Sequence, residues 1–481
     1  MLGKTRHVHF VGIGGIGMSG IAELLANLGY VVTGSDEKRS TVTERLSTLG
    51  ILVGYGHQAA NVGSADVVVC SSAVGPTNPE VVDAARRQIP VIPRAEMLAE
   101  LMRLRYAVAI AGSHGKTTTT SMIALVLERA GLDPTAVIGG RLSAFGSNAR
   151  LGRGEVMVAE ADESDRSFLK LFPTIAVITN IDREHIESYG SLEDLQDAFV
   201  DFANKVPFHG AVVACLDDTP LAEVLPRVTR RVITYGLDAR HADLTVVDVS
   251  MAPLGATATV LDRTRARGLP HRHGETGTTL GEIQLRVPGR HNLQNALAAV
   301  AVGLELGLSF DRIAAGLGEF RGAERRFEVR GEPNGVLVVD DYGHHPTEIA
   351  AVIAAAQAFG RRIIVAFQPH RFSRTSMLMD AFGPALSRAD HVVLTDIYGA
   401  GEDPLPGVTI EALAASIEKT SSVAVEVVPR LAEVAPVLAR TAQPGDMVIT
   451  LGAGSIATVP EQLIDLLERG ERGDTTVRTL T

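Results

Sequence analysis

Short apolar runs alternate with stretches of helical periodicity along most of the chain. His7–Val11 is an apolar extended run, and after a glycine-rich turn the apolar positions of Met18–Leu28 recur with the period of a helix. Tyr30–Thr33 is a second extended run. Strands and helices that alternate at this spacing are typical of a parallel sheet with helices on its faces, so the pattern predicts an α/β fold.

The same pattern starts again twice. Tyr106–Ala111 predicts a buried strand that leads into a helix over Thr117–Ala130, and a further series of strands and helices begins near Phe320. A chain of 481 residues has room for two to four domains of ~100–200 residues. We predict a Rossmann-like N-terminal domain, a central P-loop domain with a mostly parallel sheet, and a C-terminal Rossmann-like domain. Their predicted limits are 1–105, 106–319 and 320–481.

One region departs from this alternation. Residues 241–287 are rich in Thr, Val, Arg and Gly and contain alternating stretches, which favours a small antiparallel patch or surface hairpins. Within this region, 273–279 (HGETGTT) predicts an exposed loop. Gly289–Leu306, which follows, is alanine-rich and strongly helical.

Composition narrows the class of function. The net charge is −11 and no Lys/Arg-rich run is present, which argues against a nucleic-acid partner. No apolar run reaches the ~18 residues needed to span a bilayer, and the N-terminus enters a strand almost directly, without a signal-peptide pattern. Cys70 and Cys215 lie in apolar strand-like runs and are expected to be buried free thiols. We therefore expect a cytoplasmic enzyme, as a monomer or a homodimer.

The central motif is the run AIAGSHGKTTTT, in which a strand enters a glycine turn that opens a helix. Glycines let backbone N–H groups curl around phosphate oxygens, and the helix N-terminus adds partial positive charge. Lys116 can reach the outer phosphates, and Thr117 offers a hydroxyl to Mg²⁺. Ile110 stands where the usual eight-residue pattern has Gly, so this is the shorter G-x-x-G-K-T form. The residues predicted to hold ATP are Gly112, Ser113, His114, Gly115, Lys116, Thr117 and Thr118.

ATP phosphates need a divalent metal, Mg²⁺ or in its place Mn²⁺, and candidate ligands follow two strands of the central domain. VMVAEADESD places Glu160 and Asp162 at the end of one strand, where ligands collect in open sheets. AVITNIDREHIESYG places Asp182, Glu184 and His185 just past another. Carboxylates with an imidazole suit Mg²⁺ that is held together with phosphate oxygens.

The N-terminal run VGIGGIGMSG contains the spacing Gly12-x-Gly14-x-x-Gly17, and Asp36 ends the next strand. This is a dinucleotide-binding fingerprint, with Asp36 on a ribose hydroxyl. It predicts that a diphosphate docks at the helix end, but NAD and a UDP-sugar both carry one. An NAD-dependent dehydrogenase therefore stays open.

Two dense polar clusters follow strands of the third domain. VVDDYGHHPTEI and FQPHRFSRTS supply Asp340, Asp341, Tyr342, His344, His345, His370, Arg371 and Arg374. Arg371 and Arg374 are three residues apart at a helix start, so both can reach one face and suit an anionic substrate or a developing phosphoryl charge. His344 and His345 are not expected to bind zinc, because adjacent ring nitrogens rarely converge and no cysteine accompanies them.

Two smaller features precede these clusters. GRHNLQNALAA places Asn292 and Asn295 one turn apart at a helix start, where their amides could read an adenine edge or cap the helix. Arg325 and Arg326 lie at the junction of the second and third domains, which suits a phosphate contact or a hinge ion pair.

Together these motifs resemble the Mur ligase family. The resemblance covers nearly the full chain and rests on GIGGIGMSG, GSD, SSAV (71–74), GSHGKTTT, EADESD, TNID-x-x-H, GRHNLQN, ERRFE, DDYGHHP and FQPHRFSRT, in that order. The forms GIGGIGMSG and DDYGHHP favour the member that adds the first amino acid of the peptidoglycan precursor.

The resemblance implies an ATP-dependent ligase whose substrates are UDP-N-acetylmuramate, L-alanine and ATP, with an acyl phosphate as intermediate. The UDP-sugar contacts that it implies are Gly14, Gly15, Ile16, Gly17, Asp36, His57, Ser71 and Ser72. Thr117 and Glu160 are expected to hold one Mg²⁺, and Glu160 with His185 a second. The further ATP contacts are Asn292, Asn295, Arg326 and Asp341. The third domain is expected to close over the site with Tyr342, His344, Arg371 and Arg374, and the expected catalytic set is Lys116, His185, His344, Arg371 and Arg374.

Some positions depart from the family pattern. Ser113 stands where the family often has Thr, and Arg166 where relatives usually have Gly. Several relatives use a carbamylated lysine as a metal bridge, but we do not assign that role to Lys205. Two further alternatives stay open: a related ligase that attaches a recycled murein tripeptide to the same UDP-sugar, and a non-catalytic nucleotide-sensing protein.

Overall fold

The computed structural model describes residues 3–71, 73–103, 105–142, 147–264 and 277–474. The first sheet contains the strands β1 (His7–Val11), β2 (Val31–Asp36), β3 (Leu52–Tyr55), β4 (Val67–Cys70) and β5 (Val91–Pro93). They are parallel and lie in the order β3-β2-β1-β4-β5. The helices of this part are α1 (Ile16–Asn27), α2 (Thr41–Thr48), α3 (Pro79–Arg86) and α4 (Arg94–Met102). The strand order reverses between β1 and β4, and ligands of open α/β sheets bind at such a point.

The second sheet follows the order β15-β14-β13-β12-β11-β10-β6-β9-β7-β8 within the described residues. Its strands are β6 (Tyr106–Ala111), β7 (Thr135–Leu142), β8 (Ser147–Arg150), β9 (Val156–Glu160), β10 (Ile175–Ile178), β11 (Ala211–Cys215), β12 (Val232–Tyr235), β13 (Leu244–Ala252), β14 (Gly255–Asp262) and β15 (Thr278–Leu285). The helices are α5 (Lys116–Arg129), α6 (Ile186–Tyr189), α7 (Leu192–Asn204), α8 (Thr219–Val224), α9 (Arg290–Glu305) and α10 (Phe310–Gly318). The strand β6 pairs in parallel with β9 and β10, which buries its apolar residues on both faces.

The third sheet follows the order β16-β17-β21-β18-β19-β20. Its strands are β16 (Glu328–Gly331), β17 (Leu337–Asp341), β18 (Ile363–Phe367), β19 (His391–Leu394), β20 (Ala424–Val427) and β21 (Met447–Leu451). The helices are α11 (Pro346–Gln357), α12 (Phe372–Met377), α13 (Phe382–Leu386), α14 (Ile410–Thr420), α15 (Leu431–Thr441) and α16 (Val459–Asp474). Only the edge strand β16 is antiparallel to its neighbour among the pairings of this sheet in the described residues. Apolar side chains pack on both faces of the sheet.

The predicted fold class is confirmed: three α/β domains with mostly parallel sheets. Each sheet falls within one of the ranges 1–105, 106–319 and 320–481, whose limits stay a prediction. By residue contacts the chain forms two compact units. Unit 1 comprises Met1–Val249, Thr257–Leu285 and Asn292–Ala323, and unit 2 comprises Ser250–Ala256, Arg286–His291 and Glu324–Thr481.

The antiparallel patch or hairpins expected at residues 241–287 correspond to strands of the second sheet, and β13 and β14 are neighbours joined by only two residues. The strands β13, β14 and β15 continue the second sheet beyond β12, where Tyr235 pairs in parallel with Leu244. Ala258, Val260 and Ile283 are buried, so one face of this extension belongs to a core. Alternation of apolar and polar residues describes a half-buried strand equally well in a hairpin and in a large sheet. Part of the predicted loop 273–279 lies outside the described residues.

No helix of the described ranges is long and apolar enough to cross a membrane.

Candidate active site

The glycine loop that follows β6 has the backbone that its sequence predicts. Gly112 has a φ of +135° and Gly115 a φ of +80°, a region that side chains other than glycine rarely adopt. A Cβ atom at Gly112 would overlap the hydroxyl of Thr179, and one at Gly115 would lie 2.8 Å from Oδ1 of Asn295. Both glycines are therefore required by conformation and by space. Ser113 and Thr118 of the predicted ATP set are buried beside them.

Lys116, the first residue of α5, folds back over this loop. Its Nζ donates to the carbonyl oxygens of Gly112 at 2.6 Å and Ser113 at 3.1 Å, and to Oε1 of Glu163 at 2.8 Å. Burial alone would lower the pKa of the ammonium, but Glu163 and Asp162 outweigh it and raise that pKa. Lys116 is therefore a fixed positive charge at the start of the helix.

Thr117 and Glu160 come together as predicted for a shared metal site. The Thr117 hydroxyl lies 3.1 and 3.0 Å from the two carboxylate oxygens of Glu160, which ends β9. The backbone N–H of Gly139 donates to the same carboxylate at 2.8 Å. The arrangement offers hydroxyl and carboxylate oxygens at one point, and these are the ligands that Mg²⁺ prefers.

His185 lies beside a different carboxylate. Its Nε2 is 3.8 Å from Oε1 of Glu163 and 3.6 Å from Oε1 of Glu184, and its φ is +58°. Left-handed backbone is uncommon for residues other than glycine and often marks functional sites. His185 is therefore placed next to the partner of Lys116. Its predicted role as a shared ligand with Glu160 stays a prediction.

The second acidic cluster contacts the P-loop through His114. Nε2 of His114 lies 2.8 Å from Oδ2 of Asp182, and Nδ1 lies 3.6 Å from Oε2 of Glu184. The backbone N–H of His114 donates to Oδ1 of Asn180 at 2.8 Å. These contacts fix the conformation of the loop that begins α5.

The amide pair at the start of α9 also reaches this loop. Asn295 donates to Oδ1 of Asn292 at 3.3 Å, and its own Oδ1 accepts from the Thr119 hydroxyl at 3.1 Å. Both amides are buried at the P-loop helix. Their predicted contact with adenine stays a prediction.

The N-terminal glycine turn is closed by the acidic residue that ends β2. The backbone N–H of Gly14 donates to Oδ2 of Asp36 at 2.8 Å. Gly15 caps the N-terminus of α1, and Ser71 follows β4 on the other side of the switch point. The side chain of Ile16 and all of Ser72 lie outside the described residues.

A cavity of about 230 Å³ joins the two glycine turns within unit 1. Its lining includes Gly17 from the first turn, Lys116 from the second, and Glu160 and Asp162 after β9. Arg94, the first residue of α4, also lines it, and its Nη2 lies 3.3 Å from Oδ2 of Asp162. A Cβ atom at Gly17 would overlap the Arg94 guanidinium, so the arginine packs directly on the first turn. One cavity thus faces both predicted nucleotide sites.

Arg94 and Glu163 were missed as site residues. Arg94 is an isolated arginine at the start of a helix, and only its contacts with Gly17 and Asp162 in the folded chain mark it. Glu163 was quoted within EADESD, but the sequence does not say which carboxylate of that run faces Lys116.

Arg166, which departs from the family pattern, and Lys205 each lie over an aromatic ring. Arg166 has a φ of +61°, which explains why glycine suits this position, and its guanidinium lies 5.0 Å from the Tyr189 ring centre. Nζ of Lys205 lies 5.0 Å from the Phe172 ring centre.

In unit 2, Tyr342 follows β17, and two arginine side chains pack against its ring. The guanidinium carbon of Arg325 lies 5.3 Å from the Tyr342 ring centre, and that of Arg326 lies 5.2 Å away. Arg325 is paired with Asp340 at 2.8 Å, whereas Nη1 of Arg326 lies 3.4 Å from Oε1 of Glu348. Arg325 is thus held by the sheet.

Asp341 ends β17 and is buried. Its carboxylate accepts backbone N–H groups from Phe327 at 2.7 Å and Gly343 at 2.6 Å. Burial raises the pKa of Asp341 to about 6, although Arg326 opposes the shift. In this structure the carboxylate shapes the loop that carries Tyr342, and its predicted contact with ATP stays a prediction.

The two polar clusters of the third domain meet through their histidines. The ring centres of His344 and His370 are 5.4 Å apart, and the His370 ring stacks on Tyr398 at 5.7 Å. Arg374 donates from Nη1 to Nδ1 of His370 at 3.0 Å. His345 instead caps α11 by accepting the backbone N–H of Thr347, so the two adjacent histidines serve different purposes.

Arg371 and Arg374 do not share one environment, which corrects the expectation of a common face. Arg371 precedes α12 with a φ of +69°, so it lies outside the helical repeat that was assumed for the pair. Its Nη1 lies 3.7 Å from Oε1 of Glu402, whereas Arg374 is buried against His370. Glu402 also accepts the backbone N–H of Ser373 at 3.0 Å and its hydroxyl at 2.7 Å.

Comparison with known proteins extends this picture to the whole chain. Residues 7–106 match the Mur ligase family, catalytic domain, 110–303 the Mur ligase middle domain, and 325–454 the Mur ligase, glutamate ligase domain. A UDP-N-acetylmuramate–L-alanine ligase from Geotalea daltonii is 53% identical over 468 residues, which are 97% of this chain and 99% of that protein.

Two solved structures are also similar. The UDP-N-acetylmuramate–alanine ligase from Thermotoga maritima has a TM-score of 0.78 at 30% identity, over 98% of this chain and 99% of that chain. The UDP-N-acetylmuramate:L-alanyl-γ-D-glutamyl-meso-diaminopimelate ligase from Neisseria meningitides has a TM-score of 0.60 at 29% identity, over 67% of this chain and 100% of that chain. Since identity above one half extends over nearly the whole chain and the three family domains follow one another in order, the chain belongs to the Mur ligase family.

Proposed function

We propose that this chain joins L-alanine to the lactyl carboxylate of UDP-N-acetylmuramate at the expense of ATP, in the synthesis of the peptidoglycan precursor. The observation that carries the proposal is the cavity lined by Gly17 of the first glycine turn and by Lys116 and Glu160 of the ATP loop. A ligase that activates a nucleotide sugar must hold that substrate and ATP together. The 53% identity to a UDP-N-acetylmuramate–L-alanine ligase supports the choice of L-alanine.

The reaction needs two steps because a carboxylate is a poor acyl donor. In the first, a lactyl carboxylate oxygen attacks the γ-phosphorus of ATP, the bond to the β-phosphate oxygen breaks, and an acyl phosphate and ADP form. In the second, the neutral amine of L-alanine attacks the acyl carbon, phosphate leaves with the electron pair of the C–O bond, and the amine loses one proton. Lys116 would offset charge on the phosphoryl group during the first step. Arg94 would balance the charge of the sugar nucleotide at the other end of the cavity.

The residues of this site fit a divalent cation. Thr117 and Glu160 bring a hydroxyl and a carboxylate together, and Oε2 of Glu163 is buried without a hydrogen-bond partner among the described residues. We propose that Thr117, Glu160 and His185 hold Mg²⁺, and that Mn²⁺ can replace it. The cation would neutralise phosphate charge and orient the γ-phosphoryl group.

The residues of unit 2 suit the amino acid and the remaining charge of ATP. We propose that Arg371 and Arg374 bind anionic groups of the substrates and that Tyr342 and His344 position them. A histidine here is also a candidate to accept the amine proton. Arg326 and Asp341, with Asn292 and Asn295 of unit 1, are proposed to contact ATP.

We also propose a cytoplasmic location. Cys70 and Cys215 are free thiols, as expected for a protein of a reducing compartment.

A coupled assay tests the proposed function. Protein, ATP, Mg²⁺ and UDP-N-acetylmuramate are mixed with L-alanine or with the tripeptide L-alanyl-γ-D-glutamyl-meso-diaminopimelate, and phosphate release is measured. We expect release that depends on both UDP-N-acetylmuramate and L-alanine. Release that depends on the tripeptide and not on L-alanine would favour the tripeptide ligase. Release that is independent of any acceptor, or no release at all, would contradict the proposal and favour a nucleotide-sensing role.

The dehydrogenase alternative rested on the N-terminal fingerprint alone. Membership of the Mur ligase family assigns that turn to a domain shared by these ligases. A UDP-sugar therefore replaces NAD as the expected ligand.

A further inference from the structure

A buried polar network beside the first sheet is centred on Glu80, the second residue of α3. Its side chain is fully buried, and Oε2 accepts from the Ser35 hydroxyl at 2.6 Å and lies 3.2 Å from Nε2 of His9. Oε1 accepts from the Asn61 amide at 2.6 Å and from the backbone N–H of Gln58 at 3.0 Å. Every group that faces this carboxylate at hydrogen-bond distance is a donor.

The donors keep Glu80 ionised in spite of its burial. Burial would raise the pKa of the carboxyl, but the hydrogen bonds from His9, Ser35 and Asn61 outweigh it and lower the pKa to about 2. A carboxylate without a proton can only accept hydrogen bonds. The single hydrogen of the Ser35 hydroxyl must therefore point at Glu80.

This fixes what Ser35 can offer to its other neighbour, His57. Nδ1 of His57 lies 3.0 Å from the Ser35 hydroxyl oxygen and 3.6 Å from Oε1 of Glu80. Because the hydroxyl hydrogen is already committed to Glu80, Ser35 accepts from Nδ1, and Nδ1 of His57 carries the ring hydrogen. In the neutral ring, Nε2 is then left as a hydrogen-bond acceptor.

The position of His57 in the sheet indicates which hydrogen-bond donor its Nε2 faces. It follows β3 at the carboxyl end of the first sheet, one strand farther from the switch point than Asp36, which ends β2. If the diphosphate docks at the turn after β1 and the ribose at Asp36, the base extends towards His57. His57 Nε2 makes no hydrogen bond within the part of the chain that the structure describes. Uracil has one N–H donor on its base edge, the imide N3–H, whereas N3 of cytosine is an acceptor.

We propose that Glu80 is a positioning residue that, through Ser35, sets the tautomer of His57, so that Nε2 of His57 accepts the imide N–H of a uracil base. The proposal rests on the UDP-sugar function proposed above. On this proposal, Glu80 determines the preference for uracil over cytosine although its carboxylate does not contact the nucleotide.

The substitution Glu80→Gln should reverse the tautomer. If the amide oxygen stays with Asn61 and Gln58, the amide nitrogen faces Ser35 and His9 and donates to both. The Ser35 hydroxyl can then donate to Nδ1 of His57, and the ring hydrogen moves to Nε2. His57 would present a donor, which suits N3 of cytosine and repels the uracil imide.

Nitrogen NMR measures the tautomer directly. The protein is labelled with ¹⁵N in its histidine rings, and the His57 signals are identified by their loss in His57→Gln. We expect the hydrogen on Nδ1 in the wild type and on Nε2 in Glu80→Gln. The matched control is Thr33→Val, which removes a hydroxyl from the same network at His9 and should leave the His57 tautomer unchanged.

Calorimetric titration with UDP, CDP and N3-methyl-UDP measures the consequence. The wild type should bind UDP about tenfold to a hundredfold more tightly than CDP and N3-methyl-UDP, since one buried hydrogen bond is lost or opposed. Glu80→Gln should narrow or invert the preference for UDP over CDP, and Thr33→Val should keep it. A His57 hydrogen on Nε2 in the wild type, or equal affinity for UDP and N3-methyl-UDP, would overturn the proposal even if Glu80→Gln does not fold. No binding of UDP would overturn it together with the UDP-sugar function, whereas UDP binding with the other tautomer overturns this proposal alone.

Discussion

Replacing Lys116 by methionine should reduce stability as well as activity, and the loss of stability should depend on pH. In the wild type the ammonium donates to Glu163 at 2.8 Å, and the Glu163 side chain is only 1% exposed. Methionine keeps an apolar stem of similar length but removes the charge, so Glu163 loses its cation. Removing one partner of a buried ion pair costs about 3–5 kcal/mol when the remaining group stays charged.

Protonation of Glu163 limits that cost at low pH. Burial raises the pKa of Glu163 to about 7 even though the Lys116 ammonium lowers it, so without Lys116 the pKa rises further. A carboxyl group with a higher pKa in the folded than in the unfolded state binds more protons when folded, and stability then falls as pH rises. The deficit of Lys116→Met should therefore be small at about pH 5.5 and grow as pH rises above about 7, where Glu163 ionises in the wild type but still holds its proton in the variant.

Thermal unfolding in EDTA, without nucleotide, checks this at about pH 5.5, 7 and 8.5. Each pH unit above the wild-type pKa adds at most ~1.36 kcal/mol, so the deficit should approach about 2 kcal/mol at about pH 8.5. At ~2–4 °C for each kcal/mol in a domain of this size, the transition should fall by roughly 4–8 °C at that pH. Glu163→Gln added to Lys116→Met is the matched control, because a neutral amide replaces the unpaired carboxylate. The double variant should regain most of the stability at high pH without regaining phosphate release. A deficit of equal size at all three pH values, or no rescue in the double variant, would refute the assignment of a buried ion pair.

Three further substitutions test other parts of the site. Glu160→Ala should raise the Mg²⁺ concentration needed for half-maximal phosphate release, and an unchanged Mg²⁺ requirement would remove Glu160 from the metal site. Arg94→Met should raise KM for UDP-N-acetylmuramate about tenfold to a hundredfold, the value of one charge-assisted hydrogen bond, and leave KM for ATP unchanged. The ion pair between Arg94 and Asp162 is about one third exposed, so the free energy of unfolding should change by less than about 1 kcal/mol. The control is Arg103→Met, at the other end of α4, which should change neither KM. Gly112→Ala should abolish binding of a fluorescent ATP analogue, because the new Cβ would overlap the Thr179 hydroxyl at a φ of +135°; normal binding would contradict the loop geometry.

Much of the fold was predictable because its signals are local. An apolar run, a glycine turn and a helical period suffice to predict β6, the P-loop and α5, and these units repeat along the chain. The extent of the second sheet was not predictable in this way. Alternation at β13, β14 and β15 states that one face is buried, but it does not state against what.

In the site, as in the fold, local motifs were predictable from the sequence and contacts between distant segments were not. The runs GSHGKTTT and EADESD indicate a phosphate and metal site, and the structure brings Thr117 and Glu160 together. The sequence could not assign Glu163 as the partner of Lys116 or place Arg94 on Gly17, since both contacts join distant segments. The left-handed backbone of Arg371 was equally hidden, because a helix period was assumed where the chain turns.

The charges around the cavity give an independent reason to expect a divalent cation. Three carboxylates, Glu160, Asp162 and Glu163, lie in or beside it with only two cations, Lys116 and Arg94, among the side chains named above. With Glu163 ionised, this set has a net charge of about −1, and both ATP and a diphosphate sugar bring further negative charge into a partly buried space. Lys116 already shares its hydrogens with Glu163 and two carbonyl groups, so it cannot offset that charge alone. The carboxylates that would repel the phosphates in isolation are the groups that would bind a divalent cation in the same cavity.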